Sequence, residues 1–380
     1  MGKGASIILC LAVAALITLG LVMLASASAK WDASSDQYSF LVRQALWLGI
    51  GVVVMTIMAL LDYRILQRLT WPLFVAVCIA LIICYIPGIG DAAGGENRWI
   101  VLPVIGRFQP SEPAKLVVMI VLASWFAKYQ AETKSFLRGF VIPSMILGIP
   151  LLLILFEWDM GTAAGLGAAG LIVFFVSGTR VRYLGSAVIV AVLVLSQMVQ
   201  GNDNRMKRIT AFLDLDANPE GAAWQQWLSL QAFGNGGMNG MGLGNGVVKQ
   251  MGLPEHHTDF IFPIIGEELG VFVTMGVVFC FVVIFLIGLG ISMQASDRFG
   301  GVLGIGLTSA LIIPAMMNLG VTTASLPNTG LPLPFVSYGG SSLVFSFAMV
   351  GVLLSILRRS NTIDVTEMPA VKSKILEVRL

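Results

Sequence analysis

Ten apolar runs, each close to the length that crosses a bilayer, limit what this chain can become. They lie near 6–28, 42–61, 69–87, 112–127, 138–156, 160–176, 183–199, 263–290, 301–324 and 337–357. A hydrocarbon core of about 30 Å is crossed by roughly 20 apolar residues in a helix, which satisfies its own backbone groups where no water can. The sequence therefore predicts an all-α polytopic membrane protein of ten transmembrane helices. One large extracytoplasmic loop, about 200–259, falls between helices 7 and 8. Residues 1–360 read as one membrane domain and 361–380 as a short cytoplasmic tail. The first run leads into more spans and reads as an uncleaved anchor.

Lys and Arg set the orientation. One set of loops and ends, with Lys3, Arg64, Arg68, Lys128, Lys134, Arg138, Arg180, Arg182, Arg298 and the tail, holds 14 of the 23. Both termini should then be cytoplasmic and the long loop outside. A net charge of +2 gives no electrostatic case for nucleic acid. Cys10, Cys78, Cys84 and Cys280 sit inside apolar runs, so neither a disulfide framework nor a zinc motif is indicated.

The polar residues that remain are few and grouped. Both histidines and four acidic residues fall within 254–270, where the long loop meets the eighth span. Asp259 reads either as an N-cap of that span or as a general base at the membrane surface, tuned by His257 and Glu255. A metal site of His256, His257 and Asp259 lacks the spacing that zinc sites use. In the fourth span Ser111 suits an N-cap. Glu112 and Lys115, three apart, share a helix face. They read either as a self-neutralising pair or as a polar shelf that offers Lys115 to a phosphate. Asp159 either caps the sixth helix or joins Asp259 in acid/base or metal-binding work. A divalent cation, Mg or Mn, is the only cofactor this leaves open. Residues 234–246 hold seven glycines in thirteen without a phosphate-loop pattern, and read as a mobile outer loop. Prolines and glycines at 327–340 suggest a re-entrant turn lining a cavity.

Six blocks occur together: Asn97-Arg98-Trp99-Ile100, Phe108-Gln109-Pro110-Ser111-Glu112 with Ala114-Lys115, Asp159-Met160-Gly161-Thr162, Leu253-Pro254-Glu255 with His257-Thr258-Asp259-Phe260-Ile261-Phe262, Gly266-Glu267-Glu268-Leu269-Gly270, and Leu333 to Ser342. In this order they resemble the SEDS family (shape, elongation, division and sporulation; RodA/FtsW-type), with a lean towards the FtsW-like division branch. The resemblance implies a peptidoglycan glycosyltransferase that polymerises lipid II outside the bacterial cytoplasmic membrane and releases undecaprenyl diphosphate. It puts the essential aspartate on Asp259 and the fourth-helix pair on Glu112 and Lys115. The candidate substrate-binding set adds Asp159, His257 and Ser341 and, as cations that could receive the charge of a leaving diphosphate, Arg98, Arg43, Arg205, Lys207 and Arg208. Implied partners are a class B penicillin-binding protein (a transpeptidase) and other divisome or elongasome membrane proteins. A lipid II flippase or transporter and a scaffold without activity are the competing classes. Against a transporter stands the placement of charge at the outer lip rather than at mid-membrane.

Overall fold

The computed structural model describes residues 2–28, 39–86, 90–91, 98–102, 106–201, 203–214, 223–254 and 257–377. The chain is a helical bundle. Its helices are α1 (Gly2–Ser28), α2 (Ser39–Leu60), α3 (Arg64–Arg68), α4 (Thr70–Ile83), α5 (Ser111–Lys128), α6 (Ile142–Phe156), α7 (Met160–Ser177), α8 (Val181–Gln200), α9 (Asp203–Leu213), α10 (Trp224–Gly236), α11 (Ile261–Met293), α12 (Arg298–Thr322) and α13 (Gly340–Glu377). Among the described residues, eight helices are long and apolar enough to cross a membrane, and α4 is a shorter apolar helix. The architecture is that of a polytopic α-helical membrane protein.

α5 is the axis of the bundle. It packs on α4, α6, α7, α12 and α13, and all but a few of its residues are buried. Glu112 and Lys115 are buried among those helices, where ionisable groups of a membrane protein are found, whereas Lys128 is exposed in the last turn. At the other extreme, only 6% of α8 is buried, against 72% of α12, so α8 stands at the periphery.

Four features depart from the sequence reading. The fold is not purely helical. Between α4 and α5 the chain forms a small antiparallel sheet, β1 (Gly90–Asp91), β2 (Trp99–Leu102) and β3 (Gly106–Phe108), with β2 in the centre. The β-branched Ile100 and Val101 suit the central strand, and Gly106 (φ 86°) supplies the left-handed turn into the third.

Second, Ser111 does not cap α5. Pro110 holds that position, and the buried Ser111 hydroxyl has no partner. Proline already fixes the φ that a helix start requires. Third, Asp259 does not cap α11, which begins at Ile261 after Phe260 with no side-chain cap.

Fourth, the glycine-rich run, expected as a mobile outer loop, is bonded to α11. Met241 N–H and Gly242 N–H donate to the carbonyls of Glu267 and Glu268 (2.9 Å each), and Val271 N–H donates to Gly237 O (3.1 Å). α11 releases those carbonyls at Gly270, which breaks the helix with φ 78° and ψ −178°. A Cβ on Gly240 would lie 2.3 Å from Glu268 O, and one on Gly236 would lie 2.0 Å from Gly266 O. The glycines here allow backbone to approach backbone rather than allowing motion.

Candidate functional site

The backbone of residues 257–259 is fixed from three directions. Asn318, inside α12, donates its side-chain amide to Asp259 O and to Leu331 O, both at 2.7 Å. The Ser337 hydroxyl donates to Thr258 O (2.6 Å) and accepts from Leu333 N–H (2.8 Å). Tyr338 N–H donates to His257 O (3.0 Å). Behind them Gln44, buried on α2, donates to Ser337 O and accepts from Gly339 N–H, each at 3.3 Å. The strap 327–339 therefore serves as a brace for the loop end that carries Asp259. The Asp259 side chain is half-buried, and Gly330, at φ 68°, lies so close that a Cβ there would be 3.4 Å from Asp259 Oδ2.

The same strap meets the start of α7, two residues beyond Asp159. Gly161 packs against it, and a Cβ on Gly161 would fall 2.5 Å from Thr329 O. Asp159 caps α7 by accepting from Thr162 N–H (2.9 Å). Its other oxygen accepts from the Gln109 side chain at 3.3 Å and pairs with Arg98 Nε at 3.8 Å. Gln109 N–H in turn donates to the Ser341 hydroxyl at 3.2 Å. One turn further along α5, Lys115 and Glu112 form an ion pair of 2.8 Å with side chains 9% and 3% exposed. A pair so deep is favourable only with good geometry, and loss of either partner strands a buried charge.

The strap thus adjoins both Asp259 and the Asp159–Arg98–Gln109–Ser341 chain at the start of α5. The His257 ring adds to it from the loop, 5.0 Å from Phe40 and 6.1 Å from Tyr338. The other expected cations lie apart. Arg43 is exposed on α2, and Lys207 and Arg208 are exposed on α9. No hydrogen bond or ion pair among the described residues ties those three to Asp259. The Arg205 side chain, and Glu255, His256 and Asn97 altogether, lie outside the described residues. Among the described residues no group of three or more His, Cys, Asp or Glu is arranged to hold a metal ion.

Several polar residues at the site carry no motif that distinguishes them in sequence. Asn318 and Gln44 sit within apolar helices, where a lone amide reads as filler. Glu157 is the most unusual. It is fully buried, and neither carboxylate oxygen has a hydrogen-bond partner. Burial, then the charge of Asp159, pushes its carboxyl up to about 8, while Arg98 and the Cys84 thiol pull the other way. Trp158 follows in the left-handed region (φ 66°), a costly conformation for a bulky residue. It turns Glu157 and Asp159 inward and leaves Trp158 exposed.

Comparison with known proteins accords with this geometry. Residues 7–362 match the FTSW_RODA_SPOVE family, described as cell cycle proteins. The chain is 38% identical over 355 residues to "Probable peptidoglycan glycosyltransferase FtsW" of Geobacter metallireducens, covering 93% of this chain and 94% of that one. It is 37% identical over 349 residues to stage V sporulation protein E of Bacillus subtilis, covering 91% and 89%. Among solved structures, a chain of a peptidoglycan synthase complex that coordinates polymerisation and crosslinking superposes with a TM-score of 0.76 at 25% identity, over 93% of this chain and 97% of that one. RodA of Thermus thermophilus superposes at 0.69 and 25% identity, over 92% and 95%. A bundle organised round a charged central helix, a braced aspartate and a match from end to end make this chain a member of the SEDS family, on its FtsW-like side.

Proposed function

We propose that the chain is a peptidoglycan glycosyltransferase that polymerises lipid II at the outer face of the bacterial cytoplasmic membrane. The observation that carries this reading is the full-length likeness to relatives named for that activity. The Asp259 environment supplies a chemistry for it. An acceptor sugar hydroxyl must lose a proton as it attacks the anomeric carbon. The Asp259 carboxylate, with its own carbonyl held by Asn318 and those of Thr258 and His257 held by Ser337 and Tyr338, is suited to take that proton, an effect of roughly 10²–10⁴-fold. The diphosphate leaves without protonation if cations receive its charge. Lys115 is the first candidate and Arg98 the second. Arg43, Arg205, Lys207 and Arg208 are outlying cations suited to steering rather than to contact. His257, beside Tyr338, and Asp159 and Ser341, joined through Gln109, serve as positioning groups.

The same reading sets the topology. The eight long apolar helices, with α4 and α5, make ten spans. Both termini then face the cytoplasm, and the Asp259 loop faces outward with the polyprenyl chain left in the bilayer. A class B penicillin-binding protein is the natural partner, since a glycan polymer needs a crosslinking enzyme. The solved synthase complex that this fold resembles couples those two activities.

Purified protein incubated with labelled lipid II tests the proposal. The wild type should yield glycan strands. Asp259→Asn should yield almost none, with unchanged thermal unfolding because this side chain caps no helix. Translocation of lipid II without polymer would favour the flippase class, and neither activity a scaffold. Near-normal polymerisation by the Asn variant would remove the general-base role.

A further inference from the structure

Where α5 turns into α6, and α7 into α8, cations and aromatic rings meet at one edge of the bundle. Asp159 caps one end of α7, and this edge lies at the other, 18 residues or about 27 Å along the helix. One apolar span ends at Ser177, and its neighbours begin at Leu137 and Val181. Both turns therefore sit at the level of the lipid headgroups. They are docked on each other. The Thr179 hydroxyl donates to Gly139 O at 2.9 Å, and a Cβ on Gly178 would lie 3.5 Å from the Thr133 hydroxyl. That contact makes neighbours of the turns carrying Lys134 and Arg180. The Tyr183 ring of α8 packs on Phe136 at 5.3 Å and on Phe140 at 5.4 Å.

The charge at this edge is one-sided. Lys128, Lys134, Arg138, Arg180 and Arg182 are all exposed. The one carboxylate in the two turns, Glu132, pairs with Arg138. Among the described residues the other four cations have no carboxylate partner. Several lie on rings instead. Arg182 is 4.9 Å from the Tyr183 centroid and donates to its hydroxyl at 3.0 Å. Arg138 and Lys128 lie 5.1 and 5.4 Å from the Tyr129 centroid. Membrane orientation requires only the charges. Seating them on aromatic faces also fixes where they stand.

Beside the cations the surface is apolar. Phe136 and Leu137 are each 58% exposed and Val181 67%, and α8 has the least protein cover of the eight long spans. A ligand matching this edge needs anionic oxygen at the turns and hydrocarbon along α8. We propose that the edge binds an anionic phospholipid, with its phosphate on Lys134, Arg180 and Arg182 and an acyl chain along Phe136, Val181 and the outer side of α8. The lipid completes the packing of the helix that the protein leaves barest. This goes beyond the glycosyltransferase reading and does not depend on it.

The test uses the full-length protein in a neutral detergent, with phosphatidylglycerol as the probe and phosphatidylcholine as the comparison. Native mass spectrometry counts the lipid retained, and a thermal melt reads the stabilisation that binding brings. The wild type should retain phosphatidylglycerol in preference and melt higher in its presence, an effect that shrinks with added salt. Each cation near an anionic lipid surface is worth about fivefold in affinity, so Arg180→Gln/Arg182→Gln should weaken phosphatidylglycerol binding roughly 25-fold. Without added lipid that variant should melt as the wild type does. Arg68→Gln, which removes an exposed cation on α3, should bind as the wild type does. Equal retention of the two lipids would overturn the proposal, as would a double variant that still prefers phosphatidylglycerol. An equal loss in Arg68→Gln would reduce the effect to diffuse charge and overturn it too. Two arms need only the wild type. A stabilisation indifferent to salt, or the same stabilisation from inorganic phosphate, would show that no anionic lipid is recognised there.

Discussion

The side-chain amide of Asn318 spans the gap between Asp259 and the strap, donating at 2.7 Å to the carbonyls of Asp259 and Leu331, residues 72 positions apart in the chain. One buried amide thereby fixes the position of the proposed base relative to the strap. Asn318→Ala leaves two carbonyls without donors, at about 1–3 kcal/mol each for a buried group. Lipid II turnover should fall by at least tenfold with KM little changed, because Asp259 is displaced and not removed. Steady-state kinetics beside a thermal melt checks this. A variant with equal loss of melting temperature elsewhere in α12, such as Leu311→Ala, should not reproduce the kcat effect.

Glu112 and Lys115 should behave as a unit. Their 2.8 Å pair is buried in the first turn of α5. Removing one partner strands the other, at about 3–5 kcal/mol. Each single Ala change should harm both stability and polymerisation, and the double change should cost much less in stability than the two singles together. A double-mutant cycle reads the coupling directly. Simple additivity in melting temperature would count against the pair.

The glycine-rich segment should be sensitive where it is pinned. Lys249 bonds Glu268 at 2.6 Å and the Ser26 hydroxyl at 3.1 Å, while Ser26 also donates to Glu268 at 2.6 Å. Glu267 accepts from Asn235 and from Val248 N–H. Glu268→Gln should expose 236–250 to protease, which limited proteolysis in detergent would detect. Gly240→Ala, forced against Glu268 O, should be worse than Gly237→Ala, whose added methyl meets nothing within 4 Å although its φ is also positive. Equal protection of both variants would show that the clamp is dispensable.

Topology offers an independent check. In a background without native cysteines, an impermeant thiol reagent on intact cells should modify a cysteine introduced at Asn239. It should spare one at Ser373. The reverse pattern would put Asp259 on the wrong side of the membrane for wall synthesis.

The bundle itself is legible in sequence because hydrocarbon thickness imposes one length on every crossing segment. Even α5 can be recognised despite its three charges, since Glu112 and Lys115 fall one turn apart. Asp159 could be placed as a cap from its position before α7. The brace round Asp259 could not. Asn318, Ser337 and Gln44 act on backbone carbonyls and amides, groups that every residue possesses, so no pairing pattern marks their targets. Local sequence suits a cap at Ser111 and leaves cap and base open at Asp259, whereas in the fold Pro110 and Phe260 hold the two cap positions. The glycine run misled for a related reason. Glycine permits mobility in isolation and close contact in a packed protein, and only the backbone of α11 packed against it decides between them.

The break at Gly270 has one more consequence. Because α11 hands the carbonyls of Glu267 and Glu268 to Met241 and Gly242, and takes the Gly237 carbonyl for Val271, helix and loop share a single set of backbone partners. Neither can be exchanged between relatives as a cassette. A chimera that imports 236–250 alone would inherit mismatched donors, whereas one that carries 236–271 whole would bring both halves of the joint. Recombination within this family should accordingly find its crossover points outside that stretch.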